Sequence, residues 1–214
     1  MKVLILGSTG MVGSEVLERC IQNPKIKKIT VVNRDQGIEN KKVTAIVHSN
    51  FLDFSEIKKD IMDHDICFYC IGVYQGDVPE QKFIEITHDY LVALAKTIES
   101  KKTIFCLFSA QGADPKSSIL FAKWKGKAEE SLQKLQFRDV YIVRPGYIHP
   151  ENKQKSRKKL FYRVVGLFYP ILNKIAPQYC TNSGQLAKAM VRVAIEGSEK
   201  KVLENMDIRA MGSF

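Results

Sequence analysis

Four apolar residues near the start of the chain stop at a glycine, and two more glycines follow at three-residue intervals. The apolar run is Val3 to Leu6, and the glycines are Gly7, Gly10 and Gly13. An amphipathic stretch with apolar residues at helical spacing follows directly, over residues 12–21. This order predicts a buried strand, a tight turn and a helix whose N-terminus holds the pyrophosphate of a nucleotide cofactor. The predicted contacts are Gly7, Ser8, Thr9, Gly10, Met11 and Val12.

Apolar runs then alternate with amphipathic stretches along the chain. Further strands are predicted at 28–33, 43–47, 65–71, 103–108, 140–144 and 202–208. Further helices are predicted at about 81–100 and 118–135, and at 185–195 after capping residues Thr181 and Asn182. Strands that are apolar throughout are buried on both faces, as in a parallel sheet covered by helices. We therefore expect one α/β domain over residues 1–214, a doubly wound, mostly parallel sheet of the Rossmann type.

The stretch after the sixth strand differs in composition from the rest. We expect residues 147–180 to form a small substrate-side region within the same domain. Basic residues cluster at 153–163, and apolar and aromatic residues continue to residue 172. Lining a hydrophobic pocket or core is the favoured role for 153–172, and contact with a protein partner or an anionic membrane surface is the alternative. Nucleic acid is disfavoured because no binding motif is present.

The charge and the cysteine content limit the partners, the compartment and the redox chemistry that the chain can have. The net charge of +10 fits a phosphate-rich cofactor, an anionic surface or simple solubility. The five cysteines are scattered, odd in number and mostly within apolar segments, so we expect reduced thiols. No long apolar run or cleavage site follows the N-terminus, and we expect a cytoplasmic protein. The four histidines show no metal-ligand spacing, and no metal site is expected.

In a doubly wound fold, ligands bind where the strands end. Asn33 and Arg34 end the second strand, one residue before Asp35. Because an arginine there suits the 2′-phosphate of NADP and an acidic residue suits the ribose of NAD, we favour NADP over NAD. Asp53 has two alternatives, a contact with adenine or a cap on the turn at Ser55. After the fourth strand, the predicted cofactor contacts are Cys70, Ile71 and Gly72.

Several motifs, taken together, resemble a known family. They are the glycine pattern, Asn33-Arg34, Cys70-Ile71-Gly72, the segment Ser109 to Asp114, Lys125-Gly126 and Arg144-Pro145-Gly146. Their order resembles that of the atypical short-chain dehydrogenases/reductases, and particularly the Tat-interacting-protein oxidoreductase group. The resemblance runs from residue 1 to about residue 150. It implies an NADP-bound Rossmann fold, with Pro145 and Gly146 among the cofactor contacts.

The resemblance also implies catalytic roles. Reductases of this family orient a substrate carbonyl with a serine and a tyrosine, and a lysine four residues after the tyrosine binds the nicotinamide ribose and lowers the tyrosine pKa. Ser109 and Lys125 match the serine and the lysine, but the tyrosine position is Phe121, which has no hydroxyl. Tyr147 is our candidate for a relocated proton donor, with an aromatic pocket wall as its alternative role.

Tyr74, His149 and water are further candidates for the donor. We therefore predict an NADP(H)-binding oxidoreductase acting on a small, apolar carbonyl compound or a related substrate. The alternative is a catalytically weak NADP(H)-binding protein that regulates a partner or senses redox state.

Overall fold

A seven-stranded parallel sheet forms the centre of the protein. The computed structural model describes residues 1–35, 40–151 and 169–213. The order of the strands in the sheet is β3-β2-β1-β4-β5-β6-β9, and every pair is parallel. The strands are β1 Lys2–Leu6, β2 Lys28–Asn33, β3 Val43–Val47, β4 Ile66–Tyr69, β5 Ile104–Phe108, β6 Asp139–Arg144 and β9 Val202–Glu204. The predicted Rossmann-type α/β fold is thus confirmed.

Helices cover both faces of this sheet. They are α1 Met11–Gln22, α2 Lys58–Ile61, α3 Glu80–Ile84, α4 Tyr90–Ile98, α5 Leu120–Gln133, α6 Ser183–Glu196 and α7 Asn205–Gly212. A π-helical turn, Glu85–Asp89, joins α3 to α4, so the helix predicted at about 81–100 is divided into three pieces. A second small parallel sheet pairs β7 Tyr147–His149 with β8 Cys180–Asn182.

The core has two layers, one on each side of the sheet. Successive side chains of β1 show the division, because Val3 and Ile5 pack with α1 and α6 whereas Leu4 and Leu6 pack with α4 and α5. All four side chains are fully buried. Burying an aliphatic side chain stabilises a fold by about 1.5–3 kcal/mol, so this short strand anchors both layers.

The C-terminal elements agree only in part with the pattern of the sequence. Asn182 caps α6 as expected, since its Oδ1 accepts a hydrogen bond of 2.6 Å from the Gln185 N–H. The strand predicted at 202–208 is wrong beyond Glu204, where α7 begins. Glu204 and Asp207 form a reciprocal capping box, which starts a helix where apolar alternation indicated a strand.

The predicted substrate-side region 147–180 is described only in part. Its two short strands, β7 and β8, and the helical residues 169–175 belong to the described structure. The basic cluster 153–163 and most of the segment 153–172 lie outside the described residues. The proposed pocket, partner or membrane role of 153–172 therefore stays a prediction.

Candidate functional site

The glycine turn between β1 and α1 has the backbone geometry that a phosphate site requires. Gly7 has a φ of +81°, a conformation that residues with a Cβ atom rarely adopt. Its carbonyl accepts a 3.0 Å hydrogen bond from the Gly10 N–H. A Cβ atom at Gly13 would lie 2.1 Å from the Gly7 oxygen. Because Gly10 has no side chain to cap α1, the first N–H groups of this helix remain available to an anion.

A buried hydrogen bond links this turn to the end of β2. The Ser8 hydroxyl donates to Asn33 Oδ1 at 2.8 Å, and the two residues are 3% and 5% exposed. Among the residues that the structure describes, no atom accepts a hydrogen bond from Asn33 Nδ2, although it is buried. An orphaned buried donor beside a phosphate-type turn fits a cofactor oxygen as its missing partner. A nicotinamide dinucleotide therefore fits the residues at this edge.

The other residues at the end of β2 and β3 are open to solvent. Arg34 and Asp35 are exposed directly beyond Asn33. Asp53 is exposed as well, and its carboxylate accepts hydrogen bonds from the Ser55 N–H at 2.9 Å and the Ser55 hydroxyl at 3.0 Å. These bonds lower the pKa of Asp53. They are also the contacts expected if Asp53 caps the turn at Ser55. The adenine contact stays a prediction.

The chain leaving β4 passes directly against the glycine turn. The Cys70 N–H donates to the Leu6 oxygen at 2.9 Å, and a Cβ atom at Gly7 would lie 2.8 Å from the Cys70 carbonyl carbon. Two residues later, Gly72 is exposed and has open space around it. Ile71 lies between them, half-buried. Sheet pairing thus brings the segment Cys70 to Gly72 to the same edge as Gly7, as the sequence predicts.

Ser109 lies at the predicted position, immediately after β5, but its hydroxyl is already engaged. The side chain is 2% exposed, and the hydroxyl donates to the buried carboxylate of Glu129 on α5. Arg144, at the end of β6, donates from Nε to the two Glu129 oxygens at 3.0 and 3.1 Å and pairs with Glu204 at 3.1 Å. The Glu129 carboxylate holds the pKa of Arg144 above its usual value. Ser109 is therefore part of a buried ionic network.

Lys125 reaches the same edge from α5. Its Nζ lies 5.7 Å from the centre of the Phe108 ring, beside Ser109. Burial lowers the pKa of Lys125 to about 8, while the nearby Glu129 carboxylate opposes that shift. One helical turn earlier, the ring of Phe121 lies 6.2 Å from that of Phe83. The residue at the tyrosine position thus packs against another aromatic ring and offers no hydroxyl.

Tyr147 lies in an aromatic group formed by three segments of the chain. Its ring is 6.4 Å from Tyr169, which in turn stacks on His149 at 4.2 Å. Burial raises the pKa of Tyr147, and the proximity of Tyr169 and Tyr74 raises it further. The three candidate donors Tyr74, Tyr147 and His149 therefore come together. The catalytic role of Tyr147 stays a prediction.

Pro145 and Gly146 connect the loops at this edge. The Pro145 carbonyl accepts a 2.9 Å hydrogen bond from the Gln111 N–H, and the Gly146 N–H donates to Asn205 at 3.1 Å. A Cβ atom at Gly146 would lie 2.3 Å from the Tyr179 oxygen. The structure thus gives both residues a packing role, and their predicted contact with the cofactor is untested.

Glu129, and the ionic role of Arg144, were not predicted from the sequence. Glu129 binds both Ser109 and Arg144. In the sequence, however, it cannot be distinguished from the exposed charged residues of an amphipathic helix. Arg144 ends a buried apolar strand, and that position signals a charge held by a partner.

The described residues were also searched for metal-binding clusters and reactive thiols. No group of three or more His, Cys, Asp or Glu residues there could hold a metal ion. All five cysteines are buried and free. Burial raises the pKa of Cys70 to about 12, which keeps its thiol protonated. Within the same ranges, no helix combines the length and the apolar character needed to cross a membrane.

Comparisons with known proteins agree with this geometry. The model of the NAD dependent epimerase/dehydratase family matches residues 3–116, more than half of the chain. Protein HTATIP2 of Rattus norvegicus is 24% identical over 219 residues, which cover 98% of this chain and 88% of that protein. Protein FMP52, mitochondrial, of Candida albicans is 30% identical over 160 residues, covering 72% of this chain and 70% of that protein.

Solved structures show the same fold at low sequence identity. A short chain dehydrogenase family protein from Francisella tularensis superposes with a TM-score of 0.67 at 15% identity, covering 95% of both chains. MoeE5 in complex with UDP-glucuronic acid and NAD gives a TM-score of 0.70 at 11% identity, covering 95% of this chain and 75% of the other.

The expected cytoplasmic location is wrong by this comparison. Similar proteins from Candida albicans, Emericella nidulans and Kluyveromyces lactis are named mitochondrial. The expectation rested on the short apolar run before Gly7, and that run belongs to the first strand of the fold. A buried core strand carries no information about the compartment.

Proposed function

The chain belongs to the NAD dependent epimerase/dehydratase family, and we propose that it is an NADP(H)-dependent reductase of a small, apolar carbonyl compound. It is an atypical short-chain dehydrogenase/reductase of the Rossmann type, similar to HTATIP2. The family depends on nicotinamide dinucleotides. The observation that carries the proposal is the open, uncapped N-terminus of α1 beside the orphaned amide nitrogen of Asn33.

Cofactor binding rests on the residues that the turn brings together. Gly10 and the first turn of α1 would hold the pyrophosphate, and Asn33 Nδ2 would donate to a ribose or phosphate oxygen. NADP is preferred over NAD because Arg34 is exposed next to Asn33, where a guanidinium can pair with a 2′-phosphate. When bound, NADPH supplies hydride to the carbonyl carbon.

A proton must reach the carbonyl oxygen as the carbon is reduced, and the pKa of Lys125 suits that donation better than the pKa of Tyr147 does. General acids act best when their pKa is near the working pH. The pKa of Lys125 is about 8, whereas burial raises that of Tyr147 above its usual value. We therefore assign proton donation to Lys125 and the aromatic wall of the pocket to Tyr147.

The apolar surface around Phe121 supports an apolar substrate. A cleft of about 480 Å³ lies at the start of α3 and α5, and its lining combines apolar Val78, Phe83 and Leu120 with polar Gln75 and Glu80. The ring of Phe121 lies on the same side of α5, against Phe83. Removing an aliphatic or aromatic substituent from water into such a cleft is favourable by about 25 cal/mol per Å² of buried apolar area.

One observation favours the second function, a catalytically weak NADP(H)-binding regulator. Phe121 has no hydroxyl, and the Ser109 hydroxyl donates to Glu129 rather than facing a substrate. If Lys125 also fails to donate a proton, the site can bind NADP(H) without reducing a carbonyl compound efficiently.

The test is oxidation of NADPH with a panel of aldehydes, ketones and quinones, followed by the nicotinamide absorbance. Lys125→Arg is the decisive variant, because arginine keeps the positive charge but does not release its proton. We expect Lys125→Arg to retain NADPH affinity in calorimetry and to lose at least about 100-fold in turnover. Tyr147→Phe, the matched control, should keep most of its turnover.

Tight NADPH binding without turnover on any member of the panel would favour the regulator. Full turnover by Lys125→Arg, with loss in Tyr147→Phe, would reassign the proton donor to Tyr147. Absence of NADPH binding by the wild-type chain would contradict both functions.

A further inference from the structure

Positive charge collects at the edge of the sheet opposite the candidate active site. The segments that precede the parallel strands all lie at this edge, since parallel strands begin on one side of a sheet. We call them the basic edge: residues 1–2, 23–28, 40–42, 62–65, 99–103, 134–139 and 197–201. They contain twelve Lys or Arg and five Asp or Glu, a net charge of +7 out of the chain's +10.

Helix dipoles neutralise only part of this charge. Helices α1, α4, α5 and α6 end at the basic edge, and each C-terminus acts as roughly half a negative charge. Together they offset about two positive charges, which leaves an excess of about five. The basic edge is therefore more positive than stabilising the helix ends requires.

The cations of the basic edge are mostly exposed and unpaired. Lys201 pairs with Asp139 and Lys200 with Asp207. Among the described residues of the basic edge, seven exposed lysines have no acidic partner: Lys2, Lys25, Lys27, Lys28, Lys41, Lys101 and Lys102. Neighbouring strands also place like charges side by side, because Lys2 lies opposite Lys28 across β1 and β2.

The lysine charges of the basic edge also affect the pKa of a buried histidine. His64, in the loop before β4, donates to or accepts from Thr30 Oγ1 at 2.8 Å. Burial lowers its pKa, hydrogen bonds with the backbone of Ile61 and Met62 oppose that shift, and the charges of Lys28 and Lys2 contribute a smaller lowering. Placing like charges together is unfavourable unless an anionic partner compensates, so this arrangement indicates a partner surface.

We propose that the basic edge docks the protein on a membrane surface of anionic lipid headgroups. Eleven of the twelve cations are lysines, which suit diffuse attraction to phosphate headgroups rather than the bidentate recognition that arginine provides. Phe137 is the one aromatic residue in these segments, and its ring packs on Phe105 at 5.1 Å, so no base-stacking platform is present in them. Met62, in the loop before β4, is 41% exposed and can enter the interfacial layer.

A cleft continuous with the basic edge offers a place for one headgroup phosphate. It has a volume of about 590 Å³, lies between the ends of α1 and α6, and is bordered by Arg19, Lys25, Lys188 and Arg192. Arg192 pairs with Glu196 at 2.8 Å. The Nε of Arg19 is buried, and none of the described atoms accepts a hydrogen bond from it. A phosphate oxygen would satisfy that donor.

This docking mode has a consequence for the candidate active site. The strands run from the basic edge to the edge that carries Gly7, Asn33 and Lys125, so the two surfaces lie at opposite ends of the sheet. Docked through the basic edge, the protein presents the cofactor site to the aqueous phase.

The test uses the full chain with vesicles of phosphatidylcholine alone or mixed with phosphatidylserine, measured by co-sedimentation. We expect binding at low salt to the phosphatidylserine vesicles only. The edge variant replaces five lysines by glutamine: Lys25, Lys27, Lys28, Lys101 and Lys102. Because each lysine near an anionic surface contributes about a five-fold gain in partitioning, the edge variant should lose at least about 100-fold.

A control variant with the same net charge replaces five exposed lysines outside the basic edge by glutamine: Lys58, Lys59, Lys82, Lys96 and Lys116. Both variants should keep the wild-type unfolding temperature and NADPH affinity, since none of the ten residues is in the candidate cofactor site. A smaller loss in the control variant than in the edge variant supports the proposal. Wild-type vesicle binding by the edge variant, an equal or greater loss in the control variant, or tighter binding to duplex DNA than to the vesicles would overturn it.

Discussion

Replacing Glu129 by glutamine tests the buried network that joins Ser109, Lys125 and Arg144. Glutamine keeps the size of the side chain but removes the negative charge that binds three donor groups, the Ser109 hydroxyl and the Nε and Nη2 groups of Arg144. Removing one member of a buried ion pair destabilises a protein by about 3–5 kcal/mol. Since Arg144 is 22% exposed and glutamine still accepts hydrogen bonds, we expect the low end, about 3 kcal/mol.

Two readouts follow from that single substitution. In thermal unfolding, a loss of about 3 kcal/mol lowers the Tm by roughly 6–12 °C in a chain of this size. In the pH profile of turnover, the protonated form of Lys125 is the donor, so activity falls as the pH rises through about 8. Without the Glu129 carboxylate, which raises that pKa, the loss should begin at lower pH.

The matched control is the neighbouring Glu130→Gln. Glu130 is exposed and pairs with Lys134 at 3.0 Å on the surface, so its loss should change stability by less than about 1 kcal/mol. A destabilisation of Glu129→Gln no larger than that of Glu130→Gln would refute the argument for the network. An unchanged alkaline limb in the pH profile would refute the link between Glu129 and Lys125.

Three further substitutions test other parts of the site. Gly13→Ala places a Cβ atom 2.1 Å from the Gly7 oxygen, so calorimetry should show at least a ten-fold loss of NADPH affinity, and unchanged affinity would contradict the role of the turn. Arg34→Ala should weaken NADPH binding by about ten-fold or more while leaving NADH binding almost unchanged, and equal losses would argue against a 2′-phosphate contact. Phe121→Tyr adds a hydroxyl one turn before Lys125, and we expect NADPH oxidation to rise by at least ten-fold. A rate no higher than that of the wild type would mean that Phe121 does not lie near the reacting carbonyl.

Much of the fold follows from local patterns. The strands are largely apolar and several end at glycines or polar residues, as in β1 before Gly7, which is why a parallel sheet covered by helices could be predicted. The end of β9 could not be predicted, because a capping box at Glu204 outweighs an apolar alternation that fits a strand. The π-helical turn at Glu85–Asp89 also leaves no recognisable pattern in the sequence.

The site could be predicted where function depends on the backbone. Gly7 and Gly13 are required by a turn whose geometry is encoded locally. The assignments of Ser109 and Lys125 come from the family resemblance, which the strand–helix pattern alone does not supply. The engagement of Ser109 by Glu129 could not be predicted, because it depends on side chains 20 residues apart meeting across β5 and α5. The pKa of Lys125 is likewise a property of burial, which only the packed structure defines.

The central claim is that the edge carrying Gly7, Asn33 and Arg34 binds NADP(H). Calorimetric titration of the wild-type chain with NADPH and, separately, with NADH tests it most directly. We predict saturable binding of NADPH with a Kd at least about ten-fold lower than that of NADH. Tighter binding of NADH, or no binding of either dinucleotide, would contradict the claim.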